Sequence, residues 1–583
     1  MAFSAFLERP AVCVTGVGGG GWQPARLPAG AETVSGTGNM ARQPATLKSR
    51  ERRASRMTSQ RDETQADRAK ACAREAVALH KRGDHGGALA TVGAGIAELP
   101  DDAGLRSLRA RLLFALGRYR ESIEASSRAI SLDPALAEAH MAHGASLASL
   151  NDHGAALRSL RRATELDPNS AESHSNLGLV LHNVGRDGEA LESLDRAIGL
   201  DQGVAHFYGV RATVRRALGL HDGALADLDC AVGLDPNNAT AHSERGVALA
   251  RLGRHEEALD ELSRAVELAP DDPSPRHEMA VALAAMGRHA EATDLFGSAV
   301  SLDPGRAASH AGRGNALREL GRHAESLESL SRAVALDQED RRAHVGMGYT
   351  LAALGRHADA LASFGRAVGL DPDDPNALLG QGRALATLGR AARALEPLER
   401  AHGLAPSAAA SQSRGHALHM VGRNIDALHF FERAAGLDPG LAAAHAGRGI
   451  ALVALGLPEE ALVALDRALE LDRDDAACHS ARAAALSLMG SHALALASSA
   501  VAVLLDPDNP GIRQNRAMAL FSLGRHGEAL AEFDATVRLD PNGAQAHLGR
   551  CYALDALGHH GEARSAYDKA VRKDPSLREC GPP

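Results

Sequence analysis

The sequence predicts an all-α protein built from one repeated unit of two helices. Three observations support this prediction: a period of 34 residues, an apolar pattern that fits two amphipathic helices in each period, and turn residues at fixed places between them. The stretch from Ala239 to Pro270 displays the apolar pattern and the turn residues, and serves as the reference unit.

Within this stretch, apolar and small residues recur at the three- and four-residue spacing of helices that each bury one face. They form two runs: Gly246, Leu249 and Leu252, then Ala258, Leu262, Ala265 and Leu268. A Gly-Arg-His triplet at 253–255 separates the runs. Pro270 ends the second helix because proline disfavours helix at the residue before it, and an Asp or Asn just after it can cap the next helix. The unit is therefore a helical hairpin.

The residue that closes the hairpin recurs along the chain every 34 residues, except for one step of 33 between 406 and 439. The closing positions are Pro100, Pro134, Pro168, Gln202, Pro236, Pro270, Pro304, Gln338, Pro372, Pro406, Pro439, Arg473, Pro507, Pro541 and Pro575. We therefore expect about fifteen repeats over residues 69–577, preceded by a disordered Gly/Pro/Arg-rich segment at 1–66 and followed by a short tail at 578–583.

Three positions of each unit hold small residues, which let the two helices approach closely. The second and third, both in the second helix, are Ala in thirteen units each. The first, in the first helix, is Gly in eight units: Gly144, Gly178, Gly246, Gly314, Gly348, Gly382, Gly415 and Gly449. With the 34-residue period, these positions make the chain resemble the tetratricopeptide repeat family. The resemblance implies a right-handed α-solenoid superhelix of about fifteen helix-turn-helix repeats, whose first helices line a concave groove.

The resemblance also implies a non-enzymatic scaffold that binds an extended peptide or a helix of another protein in the groove. Two specialised groove patterns of the family are missing. No three consecutive units supply a Lys, Asn and Arg clamp for a carboxylate: the corresponding positions include Met141, Ser175, Ala311, Val345, Ala446 and Ser480. Nor is there a ladder of asparagines: the relevant positions run Asn176, Val210, Glu244, Glu278, Gly312 and Gly346.

Two other functions stay open. The array could be a substrate-recruiting subunit, or the separated amino-terminal part, of an enzyme such as an O-linked glycosyltransferase. It could also be an assembly factor for a multi-subunit complex. We expect no catalytic residue, cofactor or metal in the chain itself, since it contains no G-x-x-x-x-G-K-[ST], H-E-x-x-H or G-x-S-x-G motif.

Composition narrows the partners further. The net charge of −9, with arginine spread along the repeats, argues against a nucleic-acid surface. No apolar run approaches the roughly 18 residues that would span a bilayer. The six cysteines have no C-x-x-C pair or disulfide-framework spacing, which favours a reducing compartment and a cytoplasmic location. Proteins are the expected partners.

Histidine is concentrated at two repeat positions, early in the first helix and at the start of the second, which together hold eighteen of the 28 histidines. The family usually has aromatic residues there, so we interpret imidazole as their replacement in packing. Equivalent positions in stacked hairpins lie about a helix diameter apart, too far for shared metal ligands. If many of these histidines are buried and neutral, stability falls as pH drops below about 6.5.

Two places depart from the repeat pattern. Arg211 and Arg215 occupy packing positions of a first helix near 205–216, and Arg216 adds a third charge. Since buried unpaired charge is costly, this helix must shift, pair its arginines or expose them, and the three arginines are our candidate partner contacts. The second departure spans 397–411, where Pro397 lies inside a second helix beside the 33-residue step; we expect the superhelix to change course there.

The last repeat ends on an apolar helix that carries Tyr567, followed by a tail too short to form the extra polar helix that usually covers a final repeat in the family. Its exposed face is a candidate for self-association. The alternative is that Tyr567 itself folds over the end of the array.

Overall fold

The computed structural model describes residues 65–580, which form thirty α-helices and one 3₁₀ helix, with no strand in this range. We number the helices α1–α30 in chain order and the repeats 1–15, so that odd numbers are first helices and even numbers second helices. The first helices are 65–81, Ala103–Ala115, Ala137–Ser149, Ala171–Asn183, Ala205–Ala217, Ala239–Arg251, Pro273–Ala285, Ala307–Glu319, Arg341–Ala353, Pro375–Thr387, Ala408–Met420, Ala442–Ala454, Ala476–Leu488, Pro510–Ser522 and Ala544–Ala556.

The second helices are His85–Glu98, Tyr119–Leu132, His153–Leu166, Asp187–Leu200, His221–Leu234, His255–Leu268, His289–Leu302, His323–Leu336, His357–Leu370, Ala391–Leu404, Asn424–Leu437, Pro458–Leu471, His492–Leu505, His526–Leu539 and His560–Lys573. The 3₁₀ helix Pro575–Cys580 follows them. This all-helical hairpin array is the predicted fold class. The chain divides into two compact units, Met1–Ala282 and Leu283–Pro583. The predicted disordered segment lies outside the described residues except for 65 and 66, which begin α1.

The turn inside each hairpin requires a left-handed backbone. Its central residue has φ near +75° and is glycine in every described repeat except the third, where Asn151 takes its place at φ 63°. In repeat 6 the amide of Arg254, just after Gly253, donates to the carbonyl of Leu249 at 3.0 Å. Glycine suits this position because an L side chain strains the left-handed conformation.

The loops between repeats are held by side chains of the following first helix. Asn238 caps α11 through its side-chain oxygen, which accepts from the amide of Ala241, as an Asp or Asn after the closing residue should. The early histidines act on the same loops. Each donates from Nε2 to the carbonyl of the residue six positions earlier, at 3.0–3.2 Å: His140, His174, His242, His310, His344, His445, His479 and His547. These imidazoles therefore serve as hydrogen-bond donors, which packing alone does not require.

Close helix contact explains the glycines of the first helices. A Cβ added to Gly246 would lie 2.5 Å from Cγ of Leu262, which points from the second helix of the same repeat. In repeat 9 the larger Phe364 replaces leucine, and its ring reaches two repeats: a Cβ on Gly348 would lie 2.7 Å from it and one on Gly380, in repeat 10, 2.3 Å. The same match across a repeat boundary joins Phe296 to Gly312, Phe431 to Gly447 and Phe533 to Gly549.

The exposed side of the second helices, which we call the outer face, is mostly lined by ion pairs. In eight repeats an arginine just before the helix pairs with a carboxylate three residues later. In repeat 6, Arg254 donates to both oxygens of Glu257 at 2.7 and 2.6 Å, and this hydrogen bonding holds the pKa of Glu257 below its usual value. A second pair, Arg264 with Glu267 at 2.8 Å, lies ten residues further along the chain.

Candidate functional site

The three candidate arginines lie on α9, whose bounds Ala205–Ala217 are those of the neighbouring first helix α11 shifted by one repeat. Arg211 donates from Nε and Nη2 to the two carboxylate oxygens of Asp227, at 3.0 and 2.6 Å. Its third nitrogen, Nη1, donates to Asp195 at 2.7 Å. Asp227 is buried on α10, whereas Asp195 on α8 is exposed. The helix therefore keeps its place and pairs its first arginine.

The other two arginines are also paired. Nη1 of Arg215 donates to Oδ2 of Asp227 at 2.8 Å and to the carbonyl of Gly223 at 3.1 Å. Arg216 forms an ion pair of 3.0 Å with Glu244, on the first helix of repeat 6. Three arginines thus face three carboxylates, and the cluster is neutral as a whole.

Electrostatics favour the charged form of this cluster. Burial opposes the charge on Arg211, but the hydrogen bonds from Asp227 and Asp195 outweigh it and raise the pKa of Arg211. The guanidinium also lies over the ring of Tyr208, 5.7 Å from its centre. The arrangement holds repeat 5 together, and any acidic ligand would compete with carboxylates already in place.

The second departure from the pattern is local. Pro397 is buried inside α20, which continues without interruption to Leu404. The missing residue comes from the loop, where Ala405, Pro406 and Ser407 are the only residues between α20 and α21. The predicted change of superhelical course near 397–411 stays a prediction.

Repeat 11 lacks the usual loop-fastening histidine, and Ser411 stands in its place. Its hydroxyl bonds instead to Nδ1 of His402, on the preceding second helix, at 3.3 Å. The His402 ring also meets Phe430 edge to face. Burial, followed by the charges of Arg433 and Arg414, lowers the pKa of His402.

A cavity of about 510 Å³ opens on the first helices of repeats 11–14, within the second unit. Its residues share one property: none is Asp, Glu, Lys or Arg. They are His419, Ile450, Val453, Ala454, Ala477, Ser480, Ala481, Asn509, Gly511, Ile512, Gln514 and Asn515. We call this the neutral groove. Apolar walls with a few amides suit an uncharged ligand better than an acidic tail.

Hydrogen bonding orients the polar groups of the neutral groove. The amide nitrogen of Asn515 donates to Oγ of Ser480 at 2.8 Å, which leaves the amide oxygen of Asn515 to accept from a ligand. Asn509 is already used, because its side-chain oxygen caps α27 at the amides of Gly511 and Ile512. The sequence analysis did not single out Asn515. This residue occupies the same repeat position as Asn176, where an asparagine ladder would have lain.

The positions that were compared with a carboxylate clamp are mostly inaccessible. Four of the six are buried between helices: Met141, Ser175, Ala311 and Ala446. A fifth, Ser480, is largely buried too but lines the neutral groove. Among the positions compared with an asparagine ladder, Val210 is buried, and Gly312 makes room for the ring of Phe296. Much of what aligned with a binding surface therefore serves packing between repeats.

The last hairpin is partly covered. Leu577, in the 3₁₀ helix Pro575–Cys580, is buried against the end of α30, and its carbonyl accepts from the hydroxyl of Tyr567 at 3.2 Å. Tyr567 itself is buried. The 3₁₀ helix Pro575–Cys580 thus covers part of the last hairpin.

Family models described as "Tetratricopeptide repeat" match residues 103–136, 171–203, 210–273, 273–297, 345–409, 418–485 and 515–577, and one described as "TPR repeat" matches 144–185 and 314–355. Together these matches cover well over half of the chain. The protein belongs to the tetratricopeptide repeat family. Such arrays are typical protein-interaction scaffolds and subunits of complexes.

A solved structure supports the fold. The protein resembles a chain from the crystal structure of the APC/C hetero-tetramer Cut9-Hcn1, with a TM-score of 0.52, 16% identity, and coverage of 77% of this chain and 96% of that one. A tetratricopeptide repeat protein from Parabacteroides merdae ATCC 43184 matches with a TM-score of 0.37, 19% identity, and coverage of 43% and 98%. A search of curated protein sequences returned no match. Among residues 65–580, no helix combines the length and hydrophobicity needed to cross a bilayer.

Proposed function

We propose that this tetratricopeptide repeat protein is a non-enzymatic scaffold that binds an uncharged, extended segment of another protein in the neutral groove. The observation that carries the proposal is the cavity of about 510 Å³, whose lining residues come from repeats 11–14 and include no Asp, Glu, Lys or Arg. An extended peptide needs partners for its backbone groups, and the amide oxygen of Asn515 can accept from a peptide N–H. Ile450 and Val453 offer apolar contacts beside it.

A peptide library tests this proposal. Random peptides of about 12 residues, displayed on phage, would be selected on the full chain, and the enriched peptides measured by calorimetry. We expect micromolar binding to uncharged sequences. Ala481→Arg places a long cation in the groove and should weaken binding at least about tenfold. Ile425→Arg is the matched control because Ile425 is exposed on the outer face of repeat 11.

Two outcomes would contradict the proposal. Peptides that bind Ala481→Arg as tightly as the unmodified chain would place the contact elsewhere. Enrichment of acidic peptides alone would favour the arginines of repeat 5 instead, and such binding should then fall in Arg216→Ala. That alternative contact comprises Arg211, Arg215 and Arg216, where a ligand carboxylate would displace Asp195 or Glu244, the two partners that are not buried.

The same groove would serve a substrate-recruiting subunit of an enzyme or an assembly factor of a complex. Those two roles differ from a plain scaffold in the protein that supplies the bound segment. The peptide sequences enriched in the selection would therefore indicate which kind of protein supplies the segment, and so which of the three roles applies.

A further inference from the structure

The second helix of repeat 13, α26, has an apolar outer face. Its sequence, HALALASSAVAVLL, contains no Asp, Glu, Lys or Arg, whereas every other second helix of the described chain contains at least one. Four of its large side chains are exposed: Leu494 at 60%, Val501 at 40%, Leu504 at 81% and, at a position where leucine recurs in other second helices, Leu505 at 37%. Large exposed aliphatic groups on one helix face usually mark a contact surface.

Comparison with repeat 6 shows what has been replaced. Leu494 stands at the position of Glu257, and Ser491 at that of its partner Arg254. Val501 and Leu504 stand at the positions of the second ion pair, Arg264 and Glu267. Both ion pairs of the outer face are therefore lost from this helix, and aliphatic side chains occupy three of the four positions.

The exposed residues follow the spacing of a helix seam. Leu494, Ala497, Val501 and Leu504 are separated by three, four and three residues, which is the heptad spacing of two helices packed side by side. Small residues flank the seam, since Ala493 and Ala500 are exposed next to it. A second helix can therefore approach closely.

We infer that α26 packs antiparallel against α26 of a second copy of this chain. A two-fold axis near residue 499 places Leu494 of one copy opposite Leu504 of the other, and Ala497 opposite Val501. In this register Leu494 packs against Leu504 and Val501 packs against Ala497, so the same surface on the two copies is complementary to itself. The contact is separate from the neutral groove and from the last hairpin.

The charges around α26 favour a second copy of the chain, rather than a membrane surface, as the binding partner of this helix. Helices that lie in a membrane interface carry Lys or Arg on the polar face. The unexposed side of α26 is instead packed into repeat 13, with Ala495, Ser499 and Ala502 buried, and the residues that follow it include Asp506 and Asp508. The exposed apolar area amounts to roughly a few hundred Å² per copy, below that of a standard interface, so we expect a dissociation constant in the micromolar range.

Sedimentation velocity of the full chain, from about 1 to 200 µM, tests the inference. The unmodified protein should shift from monomer to dimer over this range. V501R/L504E should remain monomeric because it restores the ion pair found in repeat 6; circular dichroism and thermal melting check that it folds. I425E is the matched control, since it adds a charge at an isolated exposed residue of repeat 11 and should dimerise normally.

Three results would overturn the inference: a monomer at every concentration, equal dimerisation of V501R/L504E, or binding of the monomer to anionic phosphatidylcholine/phosphatidylglycerol vesicles that V501R/L504E abolishes. The antiparallel register has its own test, in a background with Cys13, Cys230 and Cys580 changed to Ser. Copies carrying L494C and copies carrying L504C should form mixed disulfides with each other. Disulfides only between identical copies would refute that register.

Discussion

Repeats 5 and 9 fill the same positions with opposite chemistry. In repeat 5 two arginines on the first helix face an aspartate on the second: Arg211, Arg215 and Asp227. The corresponding residues of repeat 9 are Met347, Leu351 and Ser363. Both first helices nevertheless have 13 residues and equivalent bounds. The hairpin therefore accommodates either ion pairs or apolar packing between its helices, provided that every buried charge is paired and every apolar side chain fits without a clash.

Removal of the Asp227 carboxylate, which Arg211 and Arg215 share, should lower the free energy of unfolding more than the other changes below. Asp227→Ala leaves Arg211 and Arg215 without their buried partner. We expect the free energy of unfolding to fall by about 2–3 kcal/mol. This is at the lower end for a broken buried ion pair because both arginines retain some solvent access. Native-state hydrogen exchange would localise the loss to repeat 5. Asp195→Ala is the control, since the loss of this exposed partner should lower the free energy of unfolding by less than about 1 kcal/mol. Equal effects of the two changes would refute the ranking.

Gly380 tests the apolar packing of repeat 9, because it lies against the ring of Phe364. In Gly380→Ala the new methyl group would lie 2.3 Å from the ring of Phe364, so we expect a loss of about 1–2 kcal/mol in chemical denaturation. Phe364→Leu in the same chain should recover part of it, because leucine fills this position in repeats such as the sixth. Gly369→Ala has free space around its Cβ and should stabilise by about 0.5–1 kcal/mol. If both alanines act alike, ring contact is not the cause.

The ion cluster of repeat 5 can be replaced as a whole by the residues found in repeat 9. R211M/R215L/D227S gives repeat 5 the three residues of repeat 9. We expect a change within about 1 kcal/mol in either direction, since replacement of a whole buried ion cluster by packed residues avoids an unpaired charge. Chemical denaturation beside Asp227→Ala checks this. A triple variant that is less stable than Asp227→Ala would mean that the ion cluster is irreplaceable.

The smallest expected effect is the pH dependence at His402. Burial lowers its folded pKa below the unfolded value, so the unfolded chain binds more protons as pH falls below about 6.5. The stability contribution of His402 is therefore intact near neutrality and declines as pH falls below about 6.5. His402→Val, which introduces the residue of repeat 9 at this position, should flatten the decline. An unchanged pH profile of the melting temperature would exclude His402 as a contributor.

The sequence predicted the hairpins because their signals are local. Residues 252–254 separate the two helices of repeat 6, one residue earlier than the predicted triplet 253–255, because His255 already begins the second helix. Asn238 caps the first helix of this repeat, and the repeat glycines lie where Leu262 and its equivalents contact them. For the early histidines the sequence pattern indicates only a packing role, not their hydrogen bonds. Their carbonyl partners lie six residues away, beyond the spacing that a helical pattern reveals.

The candidate sites needed more than local signals. Sequence marked Arg211 as unusual because it interrupts an apolar stripe, but its bonds to Asp227 and Asp195 join residues 16 positions away in both directions. The neutral groove was missed for a similar reason: its lining combines four repeats, and each residue is ordinary within its own repeat.

The sequence alone determined the period, the helices, the turns and the family, since each depends on residues within one 34-residue unit. The tertiary structure decided which arginines are paired, which aligned positions are buried, and which helix presents an apolar face. Those properties depend on side chains from neighbouring helices that meet only after the hairpins stack. The difference between Leu504, exposed at 81%, and Leu262, fully buried, is one of position in the packed array rather than of residue type.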